Sequence, residues 1–276
     1  MHARYAGVNT YGYIWTNGIR DCLAGLAARG FRLFEGVINP PHLDLDMPLA
    51  QRREMGDFMR DIGASFCSLN LPSLDTNLAS PFSRAREYSV DMFRLAIDLA
   101  ADLGASRLVV VPGRLNPLLP PGKAPLQAWL QETIGRLIPH ARDRSVVLAI
   151  ENVPFAALPL AQDLIRFMDA MGNDDVLGVC YDVANAHFVG ESPSEGLALL
   201  DGRLSLVHCS DTTRSAWRHS SIGSGDVPWR EFSAALQGSS YRGPILLEII
   251  DPDGEDAIVR SHDALDRLGV FQGRKS

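Results

Sequence analysis

The sequence predicts a single closed (β/α)8 barrel of the TIM type, in the α/β class. Three observations carry that expectation. The chain has 276 residues, close to the ~250 that such barrels need. Short apolar runs alternate with amphipathic stretches from end to end. A polar residue follows each of four late apolar runs: Glu151 after VVLAI, Asp182 after VLGVCY, His208 after LSLV and Glu248 after PILL.

The first strand is expected over 5–8. It runs into Asn9-Thr10-Tyr11-Gly12-Tyr13, which lacks the G-x-G-x-x-G turn that an open, doubly wound sheet would place there. Helix 17–29 follows and ends at Gly30, then strand 31–34. Helix 48–62 stops at Gly63 before strand 65–69. Helix 83–103 has the clearest periodicity, with Val90, Phe93, Ile97 and Leu103 set among Arg84, Glu87, Asp91 and Asp98. It ends at Gly104; a left-handed cap suits glycine at all three helix ends.

Strand 107–111 leads into a proline-rich loop over 116–125. Helix 124–143, strand 146–150, helix 160–171 and strand 177–181 come next. Helix 193–201, strand 205–208, helix 228–237, strand 245–249 and helix 256–268 complete the set. No low-complexity linker or composition shift divides the chain, so residues 1–276 are expected to form one domain.

Composition narrows the function classes. Hydrophobic residues make up 46% and charged residues 21%, as in a globular protein with a sizeable core. The net charge of −7 and scattered basic residues argue against a nucleic-acid surface. No apolar run approaches the ~20 residues of a membrane span, and the first residues lack a signal-peptide pattern; a cytoplasmic protein without membrane contact is expected, and homo-oligomerisation is left open. Cys22, Cys67, Cys180 and Cys209 have apolar neighbours and no C-x-x-C spacing. They are expected to be buried thiols.

In a barrel the active site lies at the C-terminal ends of the strands, where Glu151, Asp182, His208 and Glu248 are all expected. One such carboxylate is ordinarily a loop cap. Four polar residues in series, each directly after a buried run, fit a site for one divalent cation, because burying three carboxylates together costs several kcal/mol unless a cation compensates. Oxygen and nitrogen ligands in that ratio leave Mn2+, Mg2+, Co2+, Fe2+ and Zn2+ open.

The motifs Ala149-Ile150-Glu151-Asn152, Tyr181-Asp182-Val183-Ala184-Asn185, Val207-His208-Cys209-Ser210-Asp211-Thr212, Leu247-Glu248-Ile249 and the loop from Ile222 to Trp229 carry a resemblance. The chain resembles the xylose-isomerase-like barrel superfamily of sugar and sugar-phosphate isomerases and epimerases, which also includes apurinic endonucleases. The resemblance implies that Glu151, Asp182, His208 and Glu248 ligate the metal, with Mn2+ first. It also implies that Glu151 and Glu248 are the acid/base pair of a ketose 3-epimerase, working through an enediolate on a small carbohydrate substrate. The lyases of the superfamily, which dehydrate inososes or dehydroshikimate, are the alternative outcome.

Arg214 has the spacing from His208 of an epimerase substrate-binding arginine. Asn185 and Glu35 are further candidates for substrate contact, as is His187, which lies beside the position of a family histidine. Asp211 is a candidate for orienting His208 or for fixing the loop that follows. Gly223-Ser224-Gly225 is a candidate phosphate turn, and Arg114 a candidate anion contact. Tyr11 and Trp15 are candidates for an apolar pocket wall. Departures restrict the reading. Asn185 stands where tagatose- and psicose-type epimerases have a histidine, and Ala157 where they have a glutamate. Asn70 and Val111 replace two endonuclease histidines, and Trp217-Arg218-His219 lacks that family's aspartate. A single metal is therefore expected.

Overall fold

The computed structural model describes residues 6–73 and 75–271. Eight parallel strands close into a barrel in the order β1-β10-β7-β6-β5-β4-β3-β2. They are β1 Ala6–Asn9, β2 Leu33–Val37, β3 Ser65–Leu71, β4 Arg107–Val110, β5 Val147–Glu151, β6 Leu177–Asp182, β7 Leu204–Cys209 and β10 Ile245–Leu247. Tyr5, expected to open the first strand, lies outside the described residues.

Eight of the nine described α-helices match the expected ones: α1 Ile19–Ala28, α2 Leu49–Asp61, α3 Ser83–Asp102, α4 Lys123–Asp143, α5 Ala161–Ala170, α7 Pro193–Leu199, α8 Trp229–Gly238 and α9 Glu255–Arg267. The glycines after α1, α2 and α3 adopt positive φ, at 99°, 64° and 76°. The second strand departs most from expectation: it begins two residues later and runs on through Glu35 to Val37. Two elements were not expected. Helix α6, Val183–Phe188, is too short for periodicity to show and is started by the Asp182 side chain, which accepts from the Asn185 amide. A two-stranded antiparallel hairpin, β8 Asp211–Thr213 and β9 Ala216–Ser220, follows β7 directly.

Strand alternation sorts the side chains into two cores. Leu148 and Ile150, Val179 and Tyr181, Val207, and Ile245 and Leu247 join the large cluster between barrel and helices. Cys67, Val109, Ala149, Cys180, Leu206 and Leu246 pack together as a separate, smaller cluster, which fills the lumen. Two residues beyond Ala149, Cys180, Leu206 and Leu246 stand Glu151, Asp182, His208 and Glu248, so the same alternation turns all four inward. Register shifts between β2 and β3 and between β6 and β7 set Glu35 beside Ser68 and Asp182 beside His208. Bulges of this kind re-aim side chains next to active sites.

All four cysteines are buried and unpaired. No helix among the described residues is long and apolar enough to cross a membrane.

The lumen is full at its base. A Cβ on Gly7 would lie 2.6 Å from a Leu246 methyl and 2.8 Å from the Leu33 carbonyl oxygen. Gly7→Ala is therefore expected to destabilise the barrel by roughly 1–3 kcal/mol, read as a lower urea midpoint at unchanged slope.

Candidate metal centre

One oxygen from each of Glu151, Asp182 and Glu248 and one His208 nitrogen lie within 4.8 Å of one another. All four residues are buried. His208 Nδ1 is 3.3 Å from Glu151 Oε1, 3.1 Å from Glu248 Oε2 and 4.0 Å from Asp182 Oδ2. The strand order β5-β6-β7-β10 puts the two glutamates on opposite flanks of Asp182 and His208. A second buried trio, Glu151, Cys180 and His208, shares two of these residues.

Asp182 Oδ2, Glu248 Oε2 and His208 Nδ1 are buried without a hydrogen-bond partner. Such orphaned atoms are rare in native structures and need a ligand or water to satisfy them. Three carboxylates and an imidazole nitrogen converging on one point fit a divalent cation in both charge and donor type. The protein atoms alone leave the site unbalanced. Burial pushes Glu151 up to about 7, against the pull of His208. Burial, with Glu248 and Glu151 nearby, raises Asp182 well above the carboxylate range. Burial acts on Glu248 too, but the neighbouring His219 and His208 outweigh it and hold that carboxyl down at about 2. His208 is raised because Cys180, Glu35 and Glu248 overcome its own burial.

Glu35 does not reach the substrate side. It is completely buried behind His208, with Oε1 3.1 Å from Nε2. Asn9 donates to Glu35 at 2.7 Å, Ser68 at 2.5 Å and Asn70 at 3.3 Å. This corrects the expectation of substrate contact and places the Glu35 carboxylate beside His208; of the two readings of Asp211, the loop one is the arrangement seen. Asp211 instead accepts from the amides of Thr212, Gly223 and Val227 at 3.0, 2.6 and 3.3 Å. A Cβ on Gly225 would meet the Thr212 carbonyl oxygen and Asp211 Oδ1. The Gly223-Ser224-Gly225 turn is therefore closed against the Asp211 carboxylate and lies outside the lining of the cavity described below.

The remaining candidates divide. Asn185 is buried beside the quartet, with its amide 2.5 Å from Asp182 Oδ1 and its side-chain oxygen accepting from Trp217 Nε1 at 2.7 Å. Asn152 exchanges two hydrogen bonds with the Asp182 backbone, at 2.9 and 2.7 Å, and so ties β5 to β6. His187 is buried and sits 2.7 Å from Asp226, outside the cavity. Arg214 is exposed in the hairpin turn and does not line the cavity, and Trp15 is exposed as well. His219 was missed as a site residue, because its motif lacked a neighbouring aspartate. The hairpin returns it to the site, 3.0 Å from Ser210 Oγ, 3.5 Å from Glu248 and 3.9 Å from Asp182, where burial lowers its pKa.

A cavity of about 380 Å³ opens above the quartet. Glu151 and Glu248 lie at its floor; Tyr11, Asn70, Val111, Arg114, Asn185, Trp217 and His219 are among its walls.

The profile of the xylose isomerase-like TIM barrel family matches residues 23–268. The chain belongs to the xylose isomerase-like TIM barrel family. Among its relatives is a probable endonuclease 4 of Mycobacterium ulcerans (strain Agy99), 27% identical over 195 residues, covering 66% of this chain and 72% of that protein. Its fold is similar to that of a D-tagatose 3-epimerase-like protein, with a TM-score of 0.83, 21% identity and 96% of each chain covered. It is also similar to that of the IOLI protein, solved with a bound zinc atom, with a TM-score of 0.79, 15% identity and 96% of each chain covered. Within this family frame, Asn70 and Val111 line the cavity at the two positions compared above with endonuclease histidines.

Two outcomes test the centre. Removing the charge of a carboxylate that orients a metal-bound imidazole typically weakens metal binding about 10–100-fold. Glu35→Gln is expected to do so in a chelator-competition titration with Mn2+, with the far-ultraviolet spectrum unchanged. The second outcome concerns pH. Glu151, Asp182 and His208 are all raised in the folded metal-free protein. The stability they contribute is full below their unfolded values and is lost as pH rises through the folded ones. Glu248 is lowered, so its contribution is complete above its unfolded value and constant across the neutral range. His219 and His42 are lowered and gain stability as pH rises, against that loss, so the check is the metal-induced rise in melting temperature, which should be larger at pH 8 than at pH 5 because the ligands must be deprotonated to bind Mn2+. A metal-induced rise that is equal at both pH values would refute the assignment.

Proposed function

We propose that the chain is a divalent-metal-dependent isomerase or epimerase that acts on a carbohydrate-like hydroxy ketone by removing the proton next to the carbonyl. The observation that carries this reading is the pair of glutamates on opposite flanks of Asp182 and His208, both at the floor of one cavity. Membership of the family and the epimerase-like fold of a structural neighbour support it. Glu151, Asp182, His208 and Glu248 would hold the ion, with Mn2+ as the first expectation, and one domain spanning the chain would carry the whole site.

A proton beside a ketone is too weakly acidic for a carboxylate to remove unaided. A divalent ion held by Glu151, Asp182, His208 and Glu248 would supply the positive charge that lowers that barrier. Glu151 and Glu248 face the substrate from two sides. One takes the proton from its near face and the other returns one to the opposite face, which inverts the carbon. Asn185, fixed by Asp182 and Trp217, presents its amide to the same cavity.

Solvent exchange tests the reading directly. Metal-loaded protein in D2O, offered ketoses, ketose phosphates, inososes and dehydroshikimate, is expected to place deuterium at the carbon beside the carbonyl with inverted configuration. Glu151→Gln and Glu248→Gln are each expected to lower that exchange at least 100-fold. Loss of water with rising ultraviolet absorbance would assign a dehydratase instead. Cleavage of abasic DNA without any exchange would assign the chemistry of the endonuclease relatives.

A further inference from the structure

We propose that the outer part of the cavity is a subsite for a flat, apolar-faced ring at the far end of the substrate, with no phosphate there. This inference rests on the proposed hydroxy-ketone chemistry and names the substrate class for it. Phe155 and Trp217 line the cavity and form a three-ring cluster with Phe188. Trp217 stacks on Phe188 with centroids 6.2 Å apart and planes at 23°. Phe155 meets both edge-on, at 6.1 and 6.2 Å.

The cluster is built to stay open. Phe155 keeps a positive φ of 60°, a conformation that bulky residues avoid and that persists where the surroundings impose it, often at ligand clamps. Its carbonyl accepts from the Leu115 amide at 2.8 Å, which joins the loops after β4 and β5. The residue is nevertheless 52% exposed, so core packing does not account for it. Trp217 is 42% exposed and is held by the Asn185 side chain, whose backbone amide caps Asp182. The aromatic wall is thus fixed relative to the cation site by two hydrogen bonds. Val153, Pro154 and Pro117 extend the apolar lining.

A phosphate would lack a cradle here. The Gly223 amide is taken by Asp211 and the Ser224 amide by the Ser221 carbonyl, and that turn does not line the cavity. Among the described lining residues, Arg114 is the only lysine or arginine. Phosphate sites ordinarily converge several backbone donors on the anion, whereas aromatic faces bind the apolar faces of rings.

The test uses one ketose with three ends: D-fructose, 6-O-benzyl-D-fructose and D-fructose 6-phosphate. Each is titrated calorimetrically into Mn2+-loaded protein and assayed for deuterium exchange. The benzyl ether is expected to bind at least tenfold tighter than the phosphate. Phe155→Ala and Phe155→Gly should each remove about tenfold of that preference while Mn2+ affinity stays unchanged; the glycine variant also relieves the backbone. Tighter binding of the phosphate, or an unaltered benzyl preference in both variants, would overturn the subsite. Benzyl-selective binding that Phe155→Gly abolishes, but with no exchange on any of the three, would keep the subsite and overturn the hydroxy-ketone chemistry. Exchange confined to the phosphate would do the reverse.

Discussion

Everything at the mouth of this barrel depends on one electrostatic constraint. Four carboxylates, those of Glu35, Glu151, Asp182 and Glu248, surround a single imidazole, His208, and all five groups are buried. Ionised carboxylates withdrawn from water repel one another and lose hydration together, and one imidazolium cannot balance four of them. The opposed shifts of Glu151 and Glu248 show how unevenly that charge is shared among protein atoms alone. A divalent cation is the simplest neutralising partner, and the orphaned oxygens and nitrogen at the centre face the point where it would sit.

The surrounding structure holds these groups in place. Asn9, Ser68 and Asn70 fix Glu35 behind His208, so that Nε2 faces a carboxylate and Nδ1 faces the cavity side of the quartet. Asn152 binds the backbone at Asp182 from the neighbouring strand. Asp211 draws the Gly223–Val227 loop around itself, and the hairpin that begins at Asp211 delivers both His219 and Trp217. Precise catalytic geometry requires this kind of outer support, because an angstrom of slack at a reacting group is expensive in rate.

The family explains the quartet, and the departures from it explain the cavity. Ala157 and Asn185 stand where carboxylate and imidazole would be expected in the ketose epimerases, and Asn70 and Val111 where endonuclease histidines would be. Of these, Asn70, Val111 and Asn185 line the cavity, and each puts an uncharged side chain there. What remains above the cation site is largely apolar, bounded by Phe155, Trp217 and prolines. On the proposed reading, the quartet would carry the first chemical step and the loops above it the substrate preference, as barrels allow when they vary their βα loops on a constant core.

The sequence alone determined the alternating architecture, eight of the nine described helices and the four strand-end residues. Those signals are local: apolar runs, helical periodicity and glycine caps act between neighbours along the chain. It also supported reading the cysteines as buried thiols, from their apolar neighbours. Only the tertiary structure decided that Glu35 stands behind His208, that Asp211 fills the glycine turn, and that Arg214 lies in an exposed turn outside the cavity lining. The same holds for the arrival of His219 from an unexpected hairpin. Each of these depends on strand register or on a turn that reverses the chain, and residues such as Glu35 and His208, 173 positions apart in the numbering, meet only because the barrel closes.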